Sequence, residues 1–284
     1  MKIRVATCKT LPEVDVDEAP LAAALHAAGI EAELLAWDDP TVDWDQPIPT
    51  ILRSTWNYAL DVGGFLEWID RVASTAPLWN PPDIVHGNVH KRYLVELAAR
   101  GVGVVPTTIV ERGTRIDLNE VAARYSTPKL VIKPEVGAGS LGTRVFTIGG
   151  PHTNPTPHSH LAALTSRGAA LVQPYLESVD GYGERSLVWI DGALSHAIRK
   201  TPRFTGEIER IDGPHPIADD ERELAEAALA PFAKRILYGR VDLARDEADR
   251  PVVMELELVE PSLFFARLPG SAERFVAGLR KRLA

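Results

Sequence analysis

The chain has 284 residues, of which 45% are hydrophobic, and it carries a formal net charge of −8. That length and apolar content allow a sizeable core in one large domain or in two to three smaller ones. The acidic balance argues against a nucleic-acid-binding surface, which is usually basic. A single cysteine, Cys8, rules out an intrachain disulfide and favours a reducing, cytoplasmic compartment. No apolar run reaches the ~18 residues of a membrane span, and no signal peptide precedes the first strand-like run.

The first elements predict a small parallel sheet. Strand-like runs occupy residues 3–7, 31–37 and 50–55, and leucines at helical spacing predict a helix over residues 19–29 that ends at a glycine. Strands and helices at these intervals are typical of a nucleotide-type α/β fold. No Gly-x-Gly-x-x-Gly motif follows the first strand, so the sequence lacks a dinucleotide fingerprint.

A candidate substrate pocket follows the third predicted strand. In open α/β sheets, ligands bind beyond the carboxyl ends of the strands. The residues at this point are Arg53, Ser54, Thr55 and Asn57. The guanidinium of Arg53 can hold a carboxylate bidentately, and its neighbours can complete a pocket. The alternative is a surface arginine beside a turn packed by Trp56.

The next elements lead to the middle of the chain. An amphipathic helix is predicted over residues 65–75, and a strand ended by prolines over residues 78–82. A helix over residues 90–101 begins with Lys91 and stops at a glycine, and a strand follows over residues 104–110. We expect a domain boundary between the proline-ended strand and this helix.

A lysine in an apolar strand and a glycine-rich loop predict a phosphate site. Residues 130–134 are strand-like, and Lys133 within them needs an anionic partner. Backbone N–H groups of the loop that follows can approach phosphate oxygens closely before a return strand over residues 144–148. The loop residues concerned are Gly137, Gly139, Ser140 and Gly142. The pattern is not a Walker motif, which needs Gly-Lys-Ser/Thr before a helix.

Histidines and a proline mark the region that follows. The predicted elements are a loop over 149–159, a helix over 161–167 and a strand over 170–177. Because no acids flank His152, His158 and His160, we interpret them as solvated linker residues rather than metal ligands. Pro174 removes one donor from the strand, so the adjacent backbone is free to bind another group, such as an adenine edge.

The C-terminal part begins with a hairpin. The predicted elements are strands over 185–190 and 192–199, a mobile loop over 205–215, and helices over 219–235 and 272–283. Asp191 and Gly192 form the predicted hairpin turn. The longer helix has acids in its first turn and Lys234 and Arg235 in its last, as the helix dipole favours.

Two strands, over residues 240–243 and 251–258, contain carboxylates inside apolar runs. Glu255 and Glu257 are two residues apart and therefore share a face, and Asp242 lies on the other strand. Burying carboxylates together is costly unless a cation lies between them. The pattern predicts hard oxygen ligands for Mg²⁺ beside phosphates. The alternative is an edge strand whose glutamates face water.

This order of elements resembles the ATP-grasp family of carboxylate–amine ligases over nearly the whole chain. Arg240-Val241-Asp242 is similar to the family's Arg-x-Asp strand, and Glu255-Leu256-Glu257 is similar to its Glu-x-Asn strand, with glutamate where asparagine is usual. The run Glu-Leu-Glu-Leu-Val-Glu-Pro-Ser, with Arg-Ser-Thr-Trp-Asn-Tyr upstream, is most similar to the branch that forms D-cycloserine from O-ureido-D-serine in antibiotic biosynthesis. The additional carboxylate keeps metal binding and makes the site more acidic.

The resemblance implies an ATP-grasp fold of the α/β class, with α+β organisation in the grasp part. The expected units are an N-terminal parallel-sheet domain (1–88), a central ATP-binding lid (89–176) and a C-terminal catalytic unit (177–284). A homodimer is a further expectation from the family.

The resemblance also implies roles for individual residues. Lys91 and Lys133 are expected to hold the α- and β-phosphates under the loop at 137–142. The residues expected around adenine and ribose are Gln173, Tyr175, Leu176, Glu177 and Asp180. The catalytic residues implied are Arg240, Lys133 and Arg199. The substrate residues implied are Arg53, Ser54, Thr55, Asn57, Lys200 and Glu260. The ligands implied for one or two Mg²⁺, or for Mn²⁺, are Asp242, Glu255 and Glu257.

The implied reaction converts a substrate carboxylate into an acyl-phosphate, which an amine nitrogen of the same amino-acid-like molecule attacks to close a ring. Cationic side chains and Mg²⁺ neutralise charge, and a closing loop excludes water, with the glycine-rich loop and residues 205–215 as candidates. Two alternatives stay open. One is a ligase that joins two substrates, as in dipeptide or glutathione synthesis, and the other is a nucleotide-binding protein without catalysis.

Overall fold

A computed structural model of the chain describes residues 1–151, 154–201 and 210–283. The described residues form three β-sheets flanked by helices. The sheets follow one another along the chain, and one sheet lies in each of the three predicted units. Among the described helices, none is long and apolar enough to cross a membrane.

The N-terminal sheet is parallel. Its strands are β1 (Lys2–Thr7), β2 (Glu31–Ala36), β3 (Thr50–Leu52) and β4 (Leu78–Trp79), in the order β2-β1-β3-β4. The helices are α1 (Glu18–Ala27), α2 (Val62–Thr75) and α3 (Pro82–Asn88). β1 pairs with a strand on each side and is buried beyond its first residue. An apolar strand therefore forms the centre of this sheet.

The middle sheet is antiparallel. Its strands are β5 (Thr108–Val110), β6 (Lys129–Pro134), β7 (Arg144–Thr147) and β8 (Ala170–Pro174), in the order β5-β8-β6-β7. The helices of this part are α4 (Tyr93–Ala99), α5 (Leu118–Arg124), α6 (Pro157–Thr165) and α7 (Ser178–Gly181). Leu130 and Ile132 alternate on β6 and bury one face of the sheet against α5 and α6.

The C-terminal sheet is also antiparallel. Its strands are β9 (Glu184–Ile190), β10 (Ala193–Lys200), β11 (Ile211–His215), β12 (Tyr238–Arg245) and β13 (Pro251–Glu257), in the order β11-β10-β9-β12-β13. The helices are α8 (Asp219–Leu229) and α9 (Ser271–Leu283). Short 3-10 helices lie at Tyr58–Leu60 and Phe265–Arg267.

One hydrophobic core joins the two ends of the chain. Ile3 and Leu25 of the N-terminal part share it with Phe275 and Leu279 of α9. The buried hydroxyl of Tyr238 lies 2.9 Å from the Leu52 carbonyl oxygen, which ties β12 to the end of β3. The carboxyl edge of the parallel sheet therefore meets the acidic strands β12 and β13.

Several predicted elements differ from the observed ones for local reasons. The strand predicted at 104–110 begins only at Thr108, because Pro106 lacks an N–H donor and Val104 forms only an isolated bridge with Val253. The helix predicted at 219–235 ends at Leu229, just before Pro231.

The loop predicted at 205–215 is partly a strand. Its last residues form β11, which pairs with β10, and its first residues, 205–209, lie outside the described part of the chain together with His152. Helices α3, α5 and α7 are not among the predicted elements.

Candidate active site

The carboxylates of β12 and β13 form one row. Asp242 pairs in register with Glu255, and Arg240 pairs with Glu257. Residues two apart on a strand project to the same face, so these four side chains lie side by side. The prediction that Glu255 and Glu257 share a face is thus confirmed by the register.

Asp242 accepts hydrogen bonds from two cationic side chains and one hydroxyl group. Its oxygens accept from Arg240 at 2.8 and 2.9 Å, from Lys200 at 2.8 Å and from Ser186 at 2.6 Å. Arg240 also donates to Glu257 at 2.6 Å. Burial opposes ionisation of Asp242, but Arg240 and Lys200 outweigh it and hold the pKa of this carboxyl below its ordinary value.

Lys133 connects the middle sheet to the acidic strands. Its ammonium donates to Glu255 at 2.7 Å, although the two residues are far apart in sequence. Despite burial, Lys133 and Lys91 lower the pKa of Glu255 to about 2. The anionic partner that the sequence demanded for Lys133 is therefore Glu255.

Among the described residues, no three Asp, Glu, His or Cys side chains form a group that could hold a metal ion on their own. Cations lie against each of the three acids, Lys133 on Glu255 and Arg240 on both Asp242 and Glu257, and the three-acid magnesium site remains a prediction.

The donor set nevertheless fits Mg²⁺. Its donors are hard carboxylate oxygens on one sheet face. Burial raises the pKa of Glu257, and the charges of Asp242 and Glu255 add to this effect although Arg240 opposes it. A divalent cation bound at this face would favour the charged form of Glu257.

The glycine-rich loop is fastened at both ends. Lys91 Nζ donates to the Gly137 carbonyl oxygen at 2.7 Å, and His160 Nε2 lies 2.9 Å from the Gly142 carbonyl oxygen. Gly139 and Gly142 have φ of 59° and 79°, and Ser140 also has a left-handed backbone. The glycines supply conformations that other residues adopt at a cost. His160, interpreted above as a linker residue, is buried and anchors this loop.

The predicted adenine and ribose residues lie together where β8 ends. The Gln173 amide donates to Thr107 Oγ1 at 2.9 Å. Tyr175 is buried under the Lys129 ammonium, which lies 3.7 Å from its ring centroid, and its hydroxyl bonds to Asp180. Glu177 pairs with Lys129 at 3.3 Å. Leu176 adjoins Tyr175 in the same connection to α7.

The predicted substrate residues after β3 bond mainly within the protein. Arg53 is 2% exposed and pairs with Asp17 at 3.2 Å. Ser54 shares a 2.8 Å hydrogen bond with Thr7. Thr55 is fully buried, and Asn57 bonds to Trp37 and Asp38. The guanidinium of Arg53 is thus enclosed, but among the described residues its Nε and Nη1 have no hydrogen-bond partner, so its role toward a substrate carboxylate remains a prediction.

Arg199 and Lys200 point to opposite faces of β10. Lys200 is buried and contacts Asp242 and Glu184, so it joins the acidic row. Arg199 is exposed and pairs with Asp212 at 2.6 Å. Because side chains alternate along a strand, Arg199 and Lys200 cannot both face the acidic row. Arg199 faces away from that row, which corrects the catalytic role expected for it.

Glu260 lies close to the same cluster. Burial, followed by the charge of Glu257, raises its pKa to about 8, against the opposing charges of Lys91 and Arg240. Its backbone carbonyl accepts from Trp56 Nε1 at 3.0 Å. A carboxylate in this position suits a cationic group of a substrate.

Two residues of β9 were missed by sequence reasoning. Ser186 pairs in register with Asp242, and Glu184, two residues before it, contacts Lys200. The available signal was the i, i+2 spacing of polar side chains in an apolar strand, which is the pattern that identified Glu255 and Glu257.

Comparisons with known sequences match this architecture. A family model described as the N-terminal domain of D-cycloserine synthetase DcsG matches residues 3–80. The cycloserine biosynthesis protein DcsG of Streptomyces lavendulae is 36% identical over 296 residues, which cover 98% of this chain and 97% of that protein.

Solved structures match over the full length as well. A crystal structure of D-cycloserine synthetase DcsG has a TM-score of 0.89 and 34% identity, covering 100% of both chains. The D-alanine–D-alanine ligase of Bacillus anthracis has a TM-score of 0.70 at 16% identity, covering 100% of this chain and 99% of that one. The ATP-grasp ligase PsnB, in complex with a phosphomimetic precursor variant, Mg and ADP, has a TM-score of 0.64 at 16% identity, covering 99% and 98%. The last two show likeness of fold alone.

Proposed function

Because this chain belongs to the DcsG family of ATP-grasp ligases, we propose that it uses ATP and Mg²⁺ to close the ring of D-cycloserine from a linear amino-acid precursor. The family confirms the predicted fold and the predicted enzyme class, an ATP-dependent carbon–nitrogen ligase. A homodimer, a cytoplasmic location and the predicted unit boundaries remain expectations from the resemblance.

The observation that supports this function best is the contact between sheets at Lys133 and Glu255, 2.7 Å apart. It brings a cation suited to phosphates beside carboxylates suited to a metal, where the middle sheet meets the C-terminal sheet. A nucleotide between two sheets would meet both groups at once, as phosphoryl transfer requires.

The nucleotide is proposed to lie between these two sheets. Lys91 and Lys133 would hold the phosphates, and the loop carrying Gly137, Gly139, Ser140 and Gly142 would cover them with backbone N–H groups. Gln173, with the backbone of Tyr175 and Leu176, would bind adenine, and Glu177 or Asp180 the ribose hydroxyls. Lys133 and Gln173 lie on β6 and β8, Lys91 precedes α4, the loop joins β6 to β7, and residues 175–180 follow β8.

One or two Mg²⁺, or Mn²⁺, would be held by Asp242, Glu255 and Glu257 once the cations now on them turn to phosphate oxygens. The metal supplies Lewis-acid neutralisation of the charge that develops on the phosphates. Glutamate at position 257, where the family usually has asparagine, adds one negative charge to these proposed metal ligands.

Three charged side chains would act in acyl transfer. Arg240 would neutralise the phosphoryl group as it passes to the substrate carboxylate, and Lys200 beside it would share that charge. Glu260 would take the substrate's ammonium group. The ureido nitrogen that is bonded to oxygen would attack the acyl carbon, lose its proton and expel inorganic phosphate. Water would then cleave the carbamoyl group from that nitrogen, which releases CO2 and NH3 and leaves D-cycloserine. Thr55 and its neighbours after β3 would shape the wall behind the substrate without supplying a nucleophile.

The test is ADP release and product formation with purified enzyme, ATP and Mg²⁺. O-ureido-D-serine alone should support ADP release and yield D-cycloserine. A requirement for two amino acids, such as paired D-alanines, would favour a two-substrate ligase. ATP binding without turnover on any of these would favour a non-catalytic nucleotide-binding protein.

A further inference from the structure

The segment at residues 259–265, which we call the clamped segment, is held almost entirely by side chains from elsewhere. It follows β13 and has no regular structure before its last residue, yet most of it is buried. Four consecutive carbonyl oxygens each meet a side-chain donor. The pairs are Val259 with Tyr238 at 2.8 Å, Glu260 with Trp56 at 3.0 Å, Pro261 with Arg53 at 2.9 Å, and Ser262 with Arg240 at 3.1 Å.

A single carboxylate holds the rest of the clamped segment. Asp17 accepts from the backbone N–H groups of Leu263 at 2.5 Å, Phe264 at 3.2 Å and Phe265 at 2.8 Å. It also pairs with Arg53, whose Nη2 donates to both Asp17 and Pro261. Asp17 is only 1% exposed, so these bonds are made without competition from water.

The contacts of Asp17 are not those its sequence position favours. Asp17 precedes α1, where aspartate usually accepts from the first turn of its own helix, but its side chain makes no such cap bond. Its carboxylate oxygens instead accept hydrogen bonds from backbone N–H groups of residues 263–265. Phe264 has a left-handed backbone with φ of 51°, a conformation that persists only when surrounding contacts enforce it.

The clamped segment also interacts with the proposed phosphate and metal residues. Glu260 is within electrostatic reach of Lys91, Arg240 and Glu257, and Arg240, which bonds Ser262 O, also holds Asp242 and Glu257. The backbone fixed by Asp17 therefore carries a carboxylate that interacts with the proposed phosphate and metal residues.

We propose that Asp17 is a positioning residue for the amino-acid end of the reaction: with Arg53, it fixes the clamped segment so that Glu260 meets the substrate's ammonium group. This inference rests on the proposed function. Asp17 does not touch the substrate and acts through the backbone at residues 263–265. Arg53, expected above to bind substrate directly, acts in the same way through Pro261.

The main test is Asp17→Asn, which keeps the shape but turns an amide N–H group toward backbone donors. We expect KM for O-ureido-D-serine to rise about tenfold, as for a lost charged hydrogen bond, while KM for ATP stays within about twofold. Affinity for D-cycloserine, measured by calorimetry without ATP, should fall by a similar factor. Asp61→Asn is the matched control, because Asp61 caps α2 through Gly64 N, away from the segment.

A second variant keeps the inference testable if Asp17→Asn does not fold. Trp56→Phe removes one donor to the segment without changing charge, and a rise of about threefold in the same KM is expected. Equal changes in both KM values, or loss of folded enzyme with unchanged KM, would reduce Asp17 to a purely structural contact and overturn the inference. Wild-type enzyme that neither releases ADP nor binds D-cycloserine would overturn the proposed function instead.

Discussion

Glu260 differs from an ordinary glutamate in the charge it carries near neutral pH. Because burial and Glu257 raise its pKa from 4.5 to about 8, the folded protein holds a proton on Glu260 at pH 7, whereas the unfolded chain does not. The free energy of unfolding contributed by this group therefore decreases as pH rises between these two values. A cationic substrate reverses the preference, since an ammonium group favours the carboxylate.

Substrate binding should for this reason release a proton. At pH 7 without Mg²⁺, binding of O-ureido-D-serine should release close to one proton per site, measured by calorimetry in two buffers of different ionisation enthalpy. The Glu260→Gln variant should release none of this proton and bind more weakly. Equal proton release by both proteins would show that Glu260 does not receive the ammonium group.

The second residue-scale prediction concerns Glu255. Replacing it with glutamine removes the charge that Lys133 neutralises and one proposed metal oxygen, so ADP formation should fall at least ~100-fold. Thermal unfolding should still be cooperative. Glu247→Gln, in the exposed turn between β12 and β13, is the control. Near-normal ADP formation by Glu255→Gln would remove Glu255 from the metal site.

At the scale of elements, the glycine-rich loop is a short hinge between two anchors. Lys91 must leave Gly137 to reach a phosphate, whereas His160 can stay on Gly142. Burial lowers the pKa of His160, so its ring is neutral at pH 7 and donates through Nε2. Once Lys91 leaves Gly137, the start of the loop can move while its end remains attached to α6.

His160→Ala should loosen that attached end. We expect KM for ATP to rise about fivefold, as for one lost hydrogen bond, with little change in KM for the amino-acid substrate. His158→Ala, exposed on the same helix, should leave both constants unchanged. If the two alanine variants behave alike, His160 has no part in holding the loop.

At the scale of the molecule, cations from three strands of two sheets lie on the acids of β12 and β13. Lys133, Lys200 and Arg240 neutralise the same carboxylates that are proposed to bind Mg²⁺. Neither the phosphates nor the metal can gain its full set of contacts without releasing the other's partners. Nucleotide and metal should therefore bind with strong positive coupling.

ADP affinity measured by calorimetry should be at least ~10-fold higher with Mg²⁺ than with a chelator present. Glu257→Gln frees Arg240 from one carboxylate, so ADP should bind this variant severalfold more tightly without metal, and the effect of Mg²⁺ should shrink. Unchanged or weaker metal-free binding would contradict the exchange of partners.

The parts that could be predicted from sequence are those with local periodicity. Alternation identified the hairpin of β9 and β10 and the acidic strands, including the shared face of Glu255 and Glu257. The role of Asp17 could not be predicted, because its partners lie 246 to 248 residues away. The enclosure of Arg53 could not be predicted for the same reason, because the segment that covers this strand-end arginine is distant in sequence.

The core shared with α9 leaves the N-terminal sheet partly uncovered while the chain is being synthesised. Ile3 and Leu25 are covered by Phe275 and Leu279, so a nascent chain that has left the ribosome only as far as β13 has its first sheet without that cover. The apolar flank therefore stays available to chaperones until α9 has been synthesised.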